Sequence, residues 1–532
     1  MEKLKGLFRK KEEPPAEVAE KKPPAEVAEK KPPVEVTEKK PAVPVGERNK
    51  EITISPITRL EGHGKICIFL NDEGNVKDAY FQVVELRGFE RFCVGRPVEE
   101  IPRIVPRICG VCPWAHHMAS TKANDAVFNA EPPEAAKKLR EMAYAAHYVH
   151  SHIAHFYALA AADFVVGPTA DPASRNVVGV IGKVGLELGL EVIKHRSYAQ
   201  RIQEIVGGKA THPVCGLPGG MSKALSEEER AEIEEKAKSN VDFAKKSLEI
   251  LSDVVLKNKD YVEIIAGDTY YHETYYMGTV DKNDKVNFYD GMIKVVDPNG
   301  KEYAKFEVKD YLDYIGEAVL PWSYLKFPYL KEVGWKGLID GPESGIYRVA
   351  PLARLNVASG MATDAAEAAY KQMYDFFGKK PVHNTLAFHW ARIVELIYAA
   401  ERCLELIQDP EITSKDIRGE LGEPGEGVGS VEAPRGTLIH HYWADEDGIA
   451  QKLNIIVATG HNHGAMCMSV KKAAQNLIKD WQVDQGLLNM VEMAFRAYDP
   501  CLACATHTLP GQMPLEVSIY DEKGDLYQRL KR

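Results

Sequence analysis

The sequence predicts a large, mainly α-helical domain that carries small β-sheets, an α+β chain built on a core helix bundle. Three observations lead there. Apolar residues recur at helical spacing over about 113–129, 133–165, 175–206, 226–257, 364–407 and 485–497. A few short runs alternate like half-buried strands and are bounded by turn residues. The chain has 532 residues, 45% of them apolar, enough to bury a sizeable core.

Taken in order, residues 1–50 do not belong to that core. Residues 14–40 repeat a nine-residue unit, Pro-Pro-Ala-Glu-Val-Ala-Glu-Lys-Lys twice and Pro-Pro-Val-Glu-Val-Thr-Glu-Lys-Lys once. Such a unit has too little apolar surface to offset the entropy of ordering it, and its prolines make it a semi-extended tether. Ahead of it, Leu4, Leu7 and Phe8 stand at helical spacing among basic residues, which could touch a membrane surface or a partner. A frayed terminus is the plainer reading.

Folded sequence is expected from Glu51. Ile52–Ile54, Lys65–Phe69 and Ala79–Val84 read as strands, with Asn71–Gly74 as a turn. The long helical stretches follow. Between 260 and 350 the pattern turns irregular, with strand-like pieces at 286–288 and 292–296, and 437–459 reads as strand again. The last 25 residues, 508–532, contain an alternating run at 515–520 that fits an ordinary strand.

Composition narrows the function. A net charge of −10 argues against nucleic acid as the main partner. No run of eighteen apolar residues occurs, so no transmembrane helix is expected, and Met1–Lys11 lacks the apolar stretch of a secretory signal. The nine cysteines are odd in number and scattered, which is not a disulfide framework; a reducing cytoplasm is the expected location.

Four of the cysteines form two pairs: Cys109-Gly110-Val111-Cys112, followed by His116, and Cys501-Leu502-Ala503-Cys504, followed by His507. Two cysteines three apart can face one ion, and four thiolates make a soft-metal site. Structural zinc is the usual meaning of paired Cys-x-x-Cys, but it generally joins pairs separated by a short loop. Pairs at opposite ends of a long chain suggest a cofactor enclosed by the whole fold.

These two stretches resemble the metal-binding signatures of the large subunit of nickel–iron hydrogenases. Further segments match that family in the same order: Pro56–His63, Arg87–Glu90, Gly207–Lys209 with His212-Pro213, Pro218–Gly220, Ala350–Arg354 and Glu432–Gly436. The resemblance spans about 51–507, so the expected layout is a tether over 1–50, a catalytic domain over 51–507 and a precursor extension over 508–532. The family removes that extension after the equivalent of His507, which implies a maturation endopeptidase as partner.

The resemblance implies a fold and a site. The fold is the hydrogenase large-subunit fold. Cys109 and Cys501 would bind nickel terminally, and Cys112 and Cys504 would bridge nickel and an iron that carries cyanide and carbonyl ligands. Glu61 would take the proton from Cys501. A buried Glu suits that task because burial raises its pKa towards neutrality. Arg435 would face the metal pair and bond a cyanide, Asp499 would hold Arg435, and Pro434 and Thr459 would contact the cofactor. His116 would bond a bridging sulfur. Glu90, His507 and the Ile455 carbonyl would hold a magnesium (or iron) ion, a hard-ligand set. Without the resemblance, Glu61 reads as a surface charge, Arg435 as a surface salt bridge after a turn, and His116 as a capping or core histidine.

Departures point to one branch. His150-Ser151-His152 stands where exported hydrogenases have His-Asp-His, and Ala458–Asn462 replaces their Pro-Ser/Thr-Thr-Trp-Asn. Both look like the cytoplasmic branch, and Ala115–Ser120 most resembles subunits linked to heterodisulfide reductase. The implied enzyme splits dihydrogen heterolytically and passes electrons to an iron–sulfur small subunit, then onward to heterodisulfide reductase. The alternatives are a deazaflavin- or NAD(P)-reducing hydrogenase subunit, a non-catalytic coupling subunit like that of respiratory complex I, which lacks the four cysteines, and a zinc-stabilised helical protein.

Overall fold

The computed structural model describes residues 51–86, 88–505, 516–520 and 526–531, the last two segments by backbone alone. The tether over 1–50 with its repeat, Arg87 and His507 lie outside the described residues. Strands β1 (Glu51–Ile54), β2 (Gly64–Leu70) and β3 (Val76–Val83) form an antiparallel sheet in that order, with Ile52 opposite Ile68 and Cys67 opposite Tyr80. The β2–β3 turn closes on the Asn71 side chain, which accepts from the Asn75 amide, with Gly74 at φ 82°. These strands fall where the alternation places them.

Helix α1 (Phe89–Cys93) is a single short turn, and α2 (Pro113–Val127) starts on Cys112 with proline in its first turn. Helix α3 (Glu134–Ala154) continues into two wider, i→i+5 turns at His155–Ala160 and Ala162–Val166. The stretch expected as one helix over 175–206 is two, α4 (Val177–Val184) and α5 (Leu186–Gly207), because Gly185 between them sits at φ 89°. Helix α6 (Glu227–Leu251) begins in a capping box made by Ser226 and Glu229.

The irregular stretch contains a four-stranded sheet, β4 (Tyr275–Val280), β5 (Met292–Val296), β6 (Glu302–Phe306) and β7 (Tyr347–Arg348), in spatial order β7-β4-β5-β6. Of the expected piece at 286–288, only Val286 makes a bridge, to Val280. Helix α7 (Pro351–Val357) follows. The expected 364–407 helix is α8 (Asp364–Phe377) and α9 (Phe388–Gln408), separated where Gly378 adopts φ 64° and caps α8.

Three antiparallel strands come next, β8 (Glu426–Ala433), β9 (Gly436–Ala444) and β10 (Ala450–Ile456). The first was not expected. The helix α10 (His463–Leu477) was also not expected, whereas α11 (Gln485–Arg496) was. The backbone of β11 (Glu516–Tyr520) pairs antiparallel with β12 (Leu526–Lys531). Helices α3, α9, α6 and α5 pack in a ring, each on the next, which is the expected core bundle.

Strand β8 lies against α2 because of two glycines. A methyl group on Gly429 would stand 2.2 Å from the Ala123 amide nitrogen, and one on Gly427 would stand 2.3 Å from that of Val127. Gly429→Ala is therefore expected to lower stability by roughly 1–3 kcal/mol through overpacking. Thermal denaturation of the variant reads this directly, and an unchanged melting temperature would mean that strand and helix are not in close contact.

Candidate metal centre

The four paired cysteines meet in the interior. Cys109 ends a short turn over Val105–Ile108, and Cys112 is the residue before α2, so the loop between them is pinned at both ends. Cys501 immediately precedes another short turn, Leu502–Ala505, and Cys504 lies within it. All four are buried, none is in a disulfide, and their sulfur atoms lie within 4.8 Å of one another. Cys109 Sγ is 3.2 Å from Cys501 Sγ, and Cys112 Sγ is 3.3 Å from Cys504 Sγ.

The amides of Val111 and Cys112 both point at Cys109 Sγ, each at 3.1 Å. Burial opposes ionisation of Cys109, but hydrogen bonds from Cys112, Cys501 and Cys504 and the charge of Arg435 outweigh it and hold this thiol well below its ordinary range. Cys501 and Cys504 are pushed well above theirs, first by burial and then by their hydrogen bonds with Cys109 and Cys112.

Glu61 reaches this cluster through backbone pairing of the two ends of the chain. Its amide donates to Pro500, and its carbonyl accepts from Leu502 at 2.9 Å. Gly62 permits the approach: at φ 90°, a Cβ there would lie 2.7 Å from the Ala503 amide nitrogen. Glu61 Oε2 then accepts from Cys501 Sγ at 2.9 Å and from the Ala503 amide at 3.1 Å. Burial, with the negative Cys109 beside it, raises this carboxyl's pKa; the hydrogen bonds and Arg435 offset part of the shift.

Across the cluster stands Arg435, in the two-residue turn between β8 and β9. Its Nε donates to the Asp499 carbonyl at 2.6 Å, and its Nη2 donates to Asp499 Oδ1 at 3.0 Å. Nη1 is buried with no partner among the described residues. Thr459 Oγ1 accepts from the Cys501 amide at 3.1 Å. His116 shares a 3.2 Å hydrogen bond with His440, which bonds Tyr442, which donates to Ser120. One cavity is lined by Arg435, Thr459, His116 and three of the cysteines. Pro434 is not among its lining residues.

The second expected ion site is described only in part. Glu90 Oε1 accepts from the Ile455 amide at 2.7 Å, so the carboxylate and this stretch of β10 are neighbours. His507 lies outside the described residues. A Lys326–Glu317 ion pair of 2.9 Å borders the same cleft as Ile455 and Ala505. Neither residue is singled out by the sequence.

Similarity to known proteins decides what such a site belongs to. A model of the family described as nickel-dependent hydrogenase matches residues 87–176 and 342–507, and one described as HoxL-like matches 51–86. An F420-non-reducing hydrogenase iron–sulfur protein of Archaeoglobus profundus is 54% identical over 91% of this chain and 99% of its own length. The chain belongs to the nickel-dependent hydrogenase large-subunit family. This hydrogenase subunit is 37% identical to the beta chain of the NAD-reducing hydrogenase HoxS of Cupriavidus necator, over 91% of the chain and 100% of that protein. A crystal structure of an NAD+-reducing [NiFe]-hydrogenase superposes with a TM-score of 0.81 at 37% identity, over 87% of this chain and 100% of that one. The fold is therefore the hydrogenase large-subunit fold, and the chain is the catalytic large subunit of a nickel–iron hydrogenase.

The residues present fit a nickel–iron group. Four thiols are soft, strongly donating ligands close enough to share two ions. The orphaned Arg435 Nη1 needs an acceptor, and an anionic ligand on the group would supply one. Sequence reading assigned nothing to Arg354, Glu395, His440 or Asn462. Arg354 and Asn462 carried a signal, each as the last residue of a segment compared with the family.

Proposed function

We propose that this hydrogenase subunit cleaves dihydrogen heterolytically and reversibly between the thiolate-bound metals and the Cys501–Glu61 pair. The observation that carries it is the placement of the Glu61 carboxyl 2.9 Å from a sulfur of a four-thiol cluster. Cys109 and Cys501 would hold nickel, and Cys112 and Cys504 would hold nickel and iron; the group would supply Lewis acidity and electron-accepting capacity there.

The rest is done by the chain. Cys501 Sγ accepts the proton and hands it to Glu61, a general base held within hydrogen-bond reach. Arg435 offers Nη1 to an anionic ligand on the metal pair, with Asp499 fixing the guanidinium plane. Thr459 borders that ligand's space, and His116 lines the same cavity beside Cys112 and Cys504. A magnesium (or iron) ion is assigned to Glu90, the Ile455 carbonyl and His507, a carboxylate, carbonyl and imidazole set typical of hard octahedral ions.

Electrons leave to an iron–sulfur small subunit, since the chain has no further cluster-binding cysteine pattern. Higher identity to a relative named as not reducing F420 than to an NAD-reducing one favours heterodisulfide reductase, with its electron-transfer subunit, as the next acceptor. Trimming of 508–532 by a maturation endopeptidase and a cytoplasmic location complete the proposal. No helix among the described residues is long and apolar enough to cross a membrane.

Elemental analysis of the purified complex, with dihydrogen-dependent dye reduction, tests this reading. Nickel with activity is expected, together with iron in excess of nickel because the clusters of the small subunit add their own. Zinc alone, or no metal, would contradict it.

A further inference from the structure

The segment Ala350–Arg354 matches the family but has no place in the chemistry above. The structure shows what its arginine holds. From Glu432 to Arg435, every backbone carbonyl is gripped by a side chain from elsewhere in the fold. Tyr144 and Tyr148 donate to the Glu432 carbonyl at 2.6 and 2.5 Å. Arg354 donates through Nη1 to Ala433 at 2.9 Å and through Nη2 to Pro434 at 3.3 Å. Asn462 donates to the Arg435 carbonyl at 3.3 Å.

Arg354 is itself clamped. It forms a two-point pair with Glu395, at 2.5 and 2.7 Å, and donates to Glu432 at 2.8 Å. His152 bonds Glu395 at 3.0 Å, and Thr279 and Thr437 bond Glu432. Arg354, Glu395 and Glu432 have no exposed surface. A planar, permanently charged fork with five donors can grip two carboxylates and two carbonyls at once; a lysine ammonium cannot.

From this geometry we infer that Arg354 is the positioning residue for Arg435. It sets where the turn between β8 and β9 presents the Arg435 guanidinium to the metal cavity. Arg354 touches no reacting atom; it acts through the two carbonyls that precede Arg435. The inference rests on Arg435 facing the metal pair, so Arg435→Lys is measured alongside it.

The test is a double-mutant cycle in the intact complex: Arg354→Lys, Arg435→Lys and both together. Nickel and iron content, the infrared cyanide bands of the loaded centre, kcat and KM for dihydrogen are read for each. Arg354→Lys is expected to keep its metals, to shift the cyanide bands in the direction that Arg435→Lys does, and to lower kcat about 10–100-fold at unchanged KM, as small misplacements do. The double variant is expected to be no worse than Arg435→Lys. Losses that multiply, or unshifted bands in Arg354→Lys, would overturn the inference. An Arg435→Lys variant with wild-type bands would instead remove the reading of Arg435 on which it rests, and the inference with it. Should Arg354→Lys fail to fold, Glu395→Gln decides: a smaller shift of the same sign supports the inference, and wild-type bands with wild-type kcat overturn it.

Discussion

Replacing Cys501 with alanine is expected to abolish dihydrogen turnover and to leave 508–532 attached. Cys501 is where three functions meet. Its sulfur lies 3.2 Å from Cys109, 2.6 Å from Cys504 and 2.9 Å from the Glu61 carboxyl. Alanine removes one of the four thiols and, in our proposal, the group that first receives the proton. Nickel affinity should collapse, because three remaining sulfurs leave a coordination position open to water. We propose that trimming follows nickel insertion, so the variant should run at precursor length. Mass spectrometry with nickel analysis checks both at once. A nickel-free Cys501→Ala protein of trimmed length would sever metal loading from trimming.

Glu61→Gln should spare the metals and stop proton transfer, lowering turnover by about 10²–10⁴-fold. Glutamine keeps the shape and can still accept from the Ala503 amide through its carbonyl oxygen. It cannot take a proton from Cys501. The pH dependence has a definite sign. Burial raises the pKa of Glu61, so its carboxylate, the form that accepts a proton, is lost as pH falls through that raised value. Dihydrogen oxidation limited by this step should therefore weaken on the acid side, and evolution should weaken on the alkaline side, where no proton is held. In Glu61→Gln both limbs should vanish from the residual activity. Exchange of dihydrogen with deuterium from solvent at the wild-type rate in this variant would exclude Glu61 as the relay.

How far the sequence could be read depended on how local the information was. The four metal cysteines were legible because each pair carries its own spacing, and the strands β1 to β3 because alternation and turn residues adjoin one another. Helix α10 was not legible: His463–Val470 is buried on every side, so no amphipathic period marks it. Strand β8 was hidden by Gly427 and Gly429, which weaken a strand in isolation and are required only because α2 lies against them. Arg354, Glu395 and Glu432 look like surface charges until their partners, 41 and 78 residues apart in sequence, are known. Glu61 was found through its resemblance to a family segment; nothing in its neighbours reveals that Cys501 faces it.

Nickel-edge X-ray absorption on the intact complex tests most directly whether the two ends of the chain hold one sulfur-bound metal pair. Cys109, Cys112, Cys501 and Cys504 predict a nickel shell of sulfur with iron as a close neighbour. Nickel surrounded by nitrogen and oxygen, or a spectrum unchanged when Cys109 is replaced by alanine, would contradict the account.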